Sequence, residues 1–308
     1  MRIIITGGTG LIGTELSKSL AVDGHEVIVL SRNPEGKSLP DGVRAEKWDG
    51  KTAVSWGHLA DGADAIINLA GENIAGSGIL PARWTKERKA RILNSRTDAG
   101  NAVVEAVVAA KNKPKLVIQS SGVDYYGNVP DGVVTEDSPP GDDGFLAKVT
   151  VPWENSTAAV EQEGVRRVII RTGVVLNKDE GTLETMLLPF KFFAGGPVGS
   201  GKQWLAWIHI LDVIRSIRFL LENEEARGPY NLCAPESVQY KEFSKLIGQE
   251  MGRPSFVPAP AFGMKLALGE VADLVLNGRC AQPKRLLDAG FTFEFPDPQS
   301  ALQDLLKS

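Results

Sequence analysis

Short apolar runs alternate with longer stretches of helical period through the first half of the chain, and this alternation predicts βαβ units around a parallel sheet. The runs fall at 2–6, 26–30, 65–69, 116–119 and 168–171, with a weaker one at 43–48. They are nearly continuous in Ile, Val and Leu, as suits strands covered by helices on both faces. Between them, 11–22 places Leu16 and Leu20 on one helical face. The segment 84–110 begins with Lys86, Glu87, Arg88, Lys89 and Arg91 and ends with Val103, Val104, Val107 and Val108. It reads as one long helix whose first turns are a solvated face and whose last turns pack on the sheet.

Beyond Leu176 the rhythm changes. The stretch 190–203 is rich in glycine and apolar residues, with Gly195-Gly196-Pro197 and Gly199-Ser200-Gly201 as turn signals. Residues 207–210 read as a short strand, and a helix carrying Val213, Ile214, Ile217 and Leu220 begins at Asp212. The segment 257–260 reads as an extended connector. The remainder reads as helical and ends in an apolar run containing Phe291, Phe293 and Phe295. The fold class expected is α/β: a Rossmann-type doubly wound parallel sheet with a smaller C-terminal α/β region on the substrate side. Residues 1–176 are mainly the nucleotide-binding domain, with 205–235 returning to it. Residues 177–308 are mainly the substrate-side region, which includes a C-terminal domain at about 255–308.

Composition narrows the partners. A net charge of -4 provides no broad basic field, so nucleic acid is not expected. No apolar stretch approaches the roughly 20 residues that span a bilayer, so no membrane partner is expected either. The N-terminus runs straight into a strand pattern, which reads as no signal peptide and a cytoplasmic home. Cys233 and Cys280 stand far apart, and His25, His58 and His209 show no ligand spacing, so no metal is expected.

The first strand leads into Thr6-Gly7-Gly8-Thr9-Gly10-Leu11-Ile12-Gly13, a Gly-x-x-Gly-x-x-Gly pattern between strand and helix. Gly7 permits a tight turn, Gly10 lets backbone approach a pyrophosphate, and Gly13 allows close packing of the helix. Gly7, Gly10, Leu11, Ile12 and Gly13 therefore form the candidate phosphate site at a helix N-terminus. The second strand ends in Ser31-Arg32, where an NAD site usually carries an acid for the ribose 2′-hydroxyl. A guanidinium there suits a 2′-phosphate and points to NADP(H). Asn68-Leu69-Ala70-Gly71 follows the fourth strand, where small residues let the chain pass close to the adenosine ribose. Asp49 reads either as a partner of the adenine amino group or as a surface turn.

With these segments in hand, the chain resembles the extended short-chain dehydrogenase/reductases, and within them the atypical branch known as epimerase family proteins. The narrower resemblance rests on 68–74, on Arg83-Trp84-Thr85 through Ser95-Arg96, and on Ser120-Ser121 followed by Tyr125-Tyr126-Gly127. It rests also on Phe145-Leu146-Ala147 with Trp153-Glu154, and on Trp207-Ile208-His209-Ile210 with Asp212. The tail, Pro283 into Ala289-Gly290-Phe291, resembles that branch's small C-terminal domain of unknown function. The resemblance implies a Rossmann fold, NADP(H) and, as often in extended members, a homodimer.

Family members with ordinary chemistry use Ser with a Tyr-x-x-x-Lys pair. Here the residues four places after Tyr125, Tyr126, Tyr230 and Tyr240 are Val129, Pro130, Ala234 and Ser244, so the pair is absent. Phe145 or Leu146 stands where the tyrosine is expected, and Lys148 is offset from the lysine position, as a surface lysine would be. Ser120, Ser121, Tyr126 and Tyr125 remain as the catalytic candidates, at the carboxyl end of the fifth strand where open α/β sheets bind ligands. Tyr126, just before a glycine turn, is expected to point into the cleft ahead of Tyr125. Arg171 is expected to line the nicotinamide pocket, His209 and Asp212 to form a brace, and the loop 202–204 to cover a substrate. Two functions fit. One is an NADP(H)-dependent oxidoreductase or epimerase/isomerase acting on a small polar molecule. The other is a catalytically silent NADP(H)-binding redox sensor or assembly factor.

Overall fold

Ile3, Ile4 and Ile5 are all fully buried, which only a central strand with a helical layer on each face allows. The computed structural model describes residues 1–35, 39–76, 81–178 and 180–307. Its strands, in chain order, are β1 (Arg2–Thr6), β2 (Glu26–Ser31), β3 (Val43–Lys47), β4 (Ala65–Asn68), β5 (Leu116–Gly122), β6 (Val129–Val134) and β7 (Arg166–Thr172). They continue with β8 (Val174–Leu176), β9 (Trp204–Leu205), β10 (Trp207–His209), β11 (Gly228–Leu232), β12 (Val238–Gln239) and β13 (Arg279–Ala281). Seven of them form one parallel sheet in the order β11-β7-β5-β4-β1-β2-β3. The chain runs outward from β1 in both directions, so the switch point lies between β1 and β4, where doubly wound sheets bind nucleotides.

Side-chain alternation divides the core. Ile3 and Ile5 face α1 (Leu11–Val22) and α5 (Ile210–Glu222), joined there by Leu286, Phe291 and Phe293 from the tail. Ile4 faces Trp48, Trp56 and the Ala99–Ala102–Val103–Ala106–Val107 stripe of α2 (Lys86–Ala109). The stripe has helical spacing, and Thr85 caps its helix by accepting from the Arg88 N–H. The first turns of α2 are more than a solvated face. Arg88 donates to the Asn73 and Ile74 carbonyls, Arg91 to Glu72, and Lys89 pairs with Glu270, so these charges hold the loop after β4 and the C-terminal region.

A third core lies on the substrate side. There α3 (Phe145–Asn155) is followed by α4 (Thr182–Lys191), and Leu183, Leu187 and Phe190 of α4 pack with Trp207, with Phe243 and Ile247 of α6 (Tyr240–Met251), and with Leu302 and Leu305. The expectation of a helical tail is corrected. The tail contains α7 (Ala261–Leu268), α8 (Asp273–Leu276), α9 (Lys284–Asp288) and α10 (Pro298–Lys307), but β13 interrupts them and pairs with β6. Gly290, at φ +85°, ends α9, and the Phe291 and Phe293 rings pack edge to face at 4.9 Å in a loop, not a helix. The segment 257–260 is extended and pairs with the glycine-rich stretch, through Val257 N–H to Gly195 O (3.0 Å) and Ala259 N–H to Pro197 O (2.9 Å).

His209 and Asp212 each hold this tail. Asp212 is fully buried and accepts the Glu294 and Phe295 N–H groups, both at 2.9 Å. His209 caps α5 by accepting from Leu211 N–H, stacks on Phe295 at 4.0 Å, and lies 3.3 Å from Asp304. Burial lowers the His209 pKa below its ordinary 6.5, outweighing the pull of Asp304 and Asp212 in the other direction. The unfolded chain therefore takes up this proton first, and the stability from neutral His209 is complete above 6.5 and lost as pH falls below it toward the lower folded value. A His209→Asn variant is expected to flatten the fall in melting temperature between about pH 7 and pH 5, read by circular dichroism.

Candidate cofactor and active site

The turn after β1 is shaped by contacts that a side chain would break. Gly7 has φ +67°, and a Cβ there would lie 2.9 Å from the Leu69 carbonyl carbon. A Cβ on Gly13 would lie 2.5 Å from Gly7 O, so this glycine lets α1 close onto its own loop. Gly8 was not singled out from sequence, although it stands in a Gly-Gly doublet; its Cβ would lie 2.5 Å from Val29 on β2. Gly10 differs, because the nearest atom to its Cβ is Gly7 O at 3.5 Å and the remaining side is open. Gly10 is also the N-cap of α1 and supplies no capping side chain. Among the described residues the Leu11, Ile12 and Gly13 N–H groups have no acceptor, while Thr14 N–H bonds Gly10 O. The helix thus presents unspent donors and the positive end of its dipole to an anion at Gly10.

At the end of β2, Ser31 is buried and Arg32 is exposed. Arg32 has no hydrogen-bond or ion-pair partner among the described residues, and its side chain runs past Gly50, where a Cβ would lie 3.6 Å from Arg32 Cδ. Asp49 makes a surface turn: it accepts from Lys51 N–H (2.8 Å), Thr52 N–H (2.9 Å) and the Thr52 hydroxyl (2.8 Å).

The carboxyl ends of β1, β4 and β5 are tied by a buried polar chain. The Thr6 hydroxyl donates to Asn68 Oδ1 (2.5 Å), Asn68 Nδ2 to Gln119 Oε1 (2.9 Å), and Gln119 Nε2 to Ser120 O (2.7 Å). Asn68 is fully buried, so its side chain is spent within the protein and fixes the start of the Leu69-Ala70-Gly71 passage. Arg96 supports that passage from below: its Nη1 donates to Glu72 O (3.1 Å) and its guanidinium lies 4.7 Å from the Trp153 ring. Burial brings the Arg96 pKa down to about 10. Thr6, Gln119 and Arg96 went unread in the sequence because hydrogen-bonded interior residues leave no spacing signature.

At the end of β5 the four catalytic candidates sit in different surroundings. Tyr126 does not point into a cleft. It is 3% exposed, donates to Asn231 Oδ1 (2.7 Å) and accepts from Arg171 Nη1 (3.0 Å). Burial pushes its pKa up to about 12, against Arg171, which acts to lower it. Arg171 does not line an open pocket either. It is 4% exposed and forks onto Glu154 of α3 through Nε to Oε1 (2.8 Å) and Nη2 to Oε2 (3.0 Å). Burial disfavours its charge, but Glu154 and Tyr126 outweigh that and raise its pKa. The Ser121 hydroxyl is committed to Glu154 Oε1 at 2.7 Å. Ser120 and Tyr125 are half-buried, and their hydroxyls have no partner among the described residues. The Tyr125 ring lies against the Arg171 guanidinium at 3.4 Å. Lys148 is exposed, and Phe145 packs edge to face on Trp84 at 5.0 Å.

Trp84 and Phe145 form one wall of a cleft whose other lining includes Asp124, Asp143, Asp273 and Arg279. This cleft joins the end of β5 to the C-terminal region. It lies on the β4–β5–β7 half of the switch point, with the glycine loop and Arg32 on the other side. The Gln203 side chain of the predicted covering loop donates to Val198 O (3.0 Å) and Val275 O (2.8 Å), which fastens the loop to the end of α8.

The family model described as the NAD dependent epimerase/dehydratase family matches residues 3–233. The chain belongs to that family. A second model, a domain of unknown function (DUF1731), matches residues 259–305. The epimerase family protein YfhF of Bacillus subtilis is 39% identical over 315 residues, covering 99% of this chain and 98% of that protein. The epimerase family protein SDR39U1 of Mus musculus is 35% identical over 312 residues, covering 99% of this chain and all of that protein. In structure, the human epimerase family protein SDR39U1 (isoform2), crystallised with NADPH, matches with a TM-score of 0.90 at 35% identity over the whole of both chains. The nucleoside-diphosphate sugar epimerase of Corynebacterium glutamicum matches with a TM-score of 0.79 at 30% identity, over all of this chain and 59% of that one. Among the described residues no helix is long and apolar enough to cross a membrane, and no cluster of metal-ligating side chains occurs.

Within this epimerase family fold, α3 donates a carboxylate to an internal ion pair in place of a Tyr-Lys pair. The Tyr126 hydroxyl is spent in this network, and Tyr126→Phe is expected to lower stability by about 1–3 kcal/mol through the unpaired Arg171 and Asn231 groups. Because the folded pKa is raised, the Tyr126 contribution is present below its ordinary value of 10.0 and is lost as pH rises through about 12. Thermal unfolding of both proteins across that range checks the assignment; an unchanged melting temperature at neutral pH would overturn it.

Proposed function

We propose that this chain binds NADP(H) and works as an oxidoreductase or epimerase/isomerase on a small polar substrate at the carboxyl end of β5. The observation that carries the reading is the uncapped N-terminus of α1, open at Gly10, with the unpaired Arg32 just past the end of the neighbouring strand β2. The Leu11, Ile12 and Gly13 N–H groups suit the pyrophosphate, and Arg32 suits a 2′-phosphate. The NADPH in the crystal structure of the human relative supports the same choice. When bound, the nicotinamide supplies the hydride chemistry. The chain's own part is to orient a carbonyl or hydroxyl carbon and to supply the proton. The open hydroxyls for that proton are Tyr125 and Ser120, because those of Tyr126 and Ser121 are spent.

One observation favours a second reading, a catalytically silent NADP(H)-binding sensor or assembly factor. The positions that ordinarily do the chemistry here serve an internal network built on Glu154 and Arg171. NADPH oxidation across a panel of carbonyl compounds, compared between the wild type and Tyr125→Phe, separates the two.

Isothermal titration of NADPH and NADH against the wild type and Arg32→Ala tests the cofactor assignment. Loss of one charge-assisted contact is expected to weaken NADPH about 10- to 100-fold and to leave NADH unchanged. Equal weakening of both nucleotides would remove Arg32 from the 2′-phosphate.

A further inference from the structure

The strongest feature outside the nucleotide site is an apolar face on the substrate-side region. Phe192, Phe193, Phe256, Phe262 and Leu266 are 74%, 59%, 76%, 78% and 67% exposed. Soluble surfaces scatter such residues singly, and a group of them marks an interaction site. Four of the five come from two paired segments. Val257 N–H bonds Gly195 O at 3.0 Å, and Gly199 N–H bonds Ala259 O at 2.9 Å in a parallel pairing, so Phe192, Phe193 and Phe256 precede it at one end and Phe262 follows it at the other. Leu266 follows Phe262 by one helical turn, and α7, apolar throughout except for Lys265, has no buried residue. Phe193 has φ +60°, the one positive φ outside glycine among the described residues, so its exposed ring is held out by a backbone that bulky residues avoid.

Charge says what this face fits. The chain carries 38 acidic residues, yet 185–211 and 251–269 contain none. Their cations are Lys191, Lys202, Arg253 and Lys265. Arg253 lies 4.4 Å over the Phe193 ring and, with Lys245, Gln249 and Ser255, borders an open depression of about 350 Å³. Lys245 is partly offset by Glu242 at 3.1 Å, whereas Arg253 faces no carboxylate among the described residues. Apolar prongs interleaved with cations around a basic depression match the interface of an anionic bilayer, where rings enter the acyl boundary and cations meet phosphate headgroups. A second copy of the chain fits poorly. A two-fold contact would set this cationic patch against an equally cationic copy of itself.

We propose that this face docks the protein peripherally on anionic phospholipid membranes, with Phe192, Phe193, Phe256 and Phe262 as insertion prongs and Arg253 as a headgroup contact. The contact lies at the surface and needs no spanning helix.

Sedimentation of the full chain with vesicles of phosphatidylcholine, and of phosphatidylcholine with phosphatidylglycerol, tests the proposal. Binding is expected to the anionic vesicles alone and to fall as salt rises. Arg253→Glu reverses one charge at the surface and is expected to weaken binding about thirtyfold, at roughly a factor of five per unit of charge. Phe193→Ser with Phe256→Ser is expected to abolish binding. Both variants should keep the wild-type melting curve and NADPH titration, because none of these side chains is buried or near the glycine loop. Inorganic phosphate at millimolar concentration should not displace the protein from anionic vesicles, since the apolar contact remains. Four results would overturn the proposal: no binding to either vesicle, equal binding to both, binding indifferent to the Phe pair, or a protein dimer in solution that the Phe pair dissolves.

Discussion

Arg171 and Glu154 lose nearly all their hydration in this fold, and a buried ion pair persists only where its geometry and remaining hydrogen bonds make up for that loss. The pair meets the condition through a two-point fork and through Ser121 and Tyr126, which take up further sites on the carboxylate and guanidinium. It joins the last turn of α3 to β5 and β7, and Tyr126 extends it to Asn231 on β11. Asn231 reaches the C-terminal region through Gln282 O at 2.9 Å, and its N–H meets Glu136 Oε1 at 2.9 Å. The substrate-side region is therefore fastened to the nucleotide sheet by a polar network whose members cannot be removed singly without stranding a buried charge. That constraint also places the Tyr125 ring, which rests on the guanidinium.

The other side of the switch point obeys a steric constraint. Gly7, Gly8 and Gly13 are held by backbone or side-chain approaches of 2.5–2.9 Å to where a Cβ would stand, and only Gly10 opens outward. The three closed positions set the direction of α1, and the open one leaves its donors accessible. Two different physical devices thus flank the switch point, a dense ion-pair network on one side and a bare helix end on the other.

The sequence read well wherever a residue's role follows from its neighbours in the chain. The strand runs, the glycine spacing at 7, 10 and 13, the paired burial of Leu16 and Leu20, and the absent Tyr-x-x-x-Lys were all legible. The site was less so. Tyr126 and Tyr125 are adjacent and alike in chemistry, and nothing in their local sequence says which one turns inward. The expected cleft role of Arg171 failed for a similar reason, because Glu154, its partner, stands on a different element seventeen residues earlier. The tail was read as helix ending in the apolar run of Phe291, Phe293 and Phe295, yet those rings pack in a loop against α5 and His209.

What the sequence determined by itself was the doubly wound sheet, the glycine-shaped start of α1, and the guanidinium at the end of β2. Each depends on backbone propensity and on spacings of a few residues, which survive without knowledge of the rest of the chain. What only the tertiary structure decided was which hydroxyls are free and which are spent, and that charges of the early α2 turns hold the loop after β4 and the C-terminal region. Those outcomes depend on pairs far apart in sequence, and a buried polar group takes its role from the partner that folding brings to it.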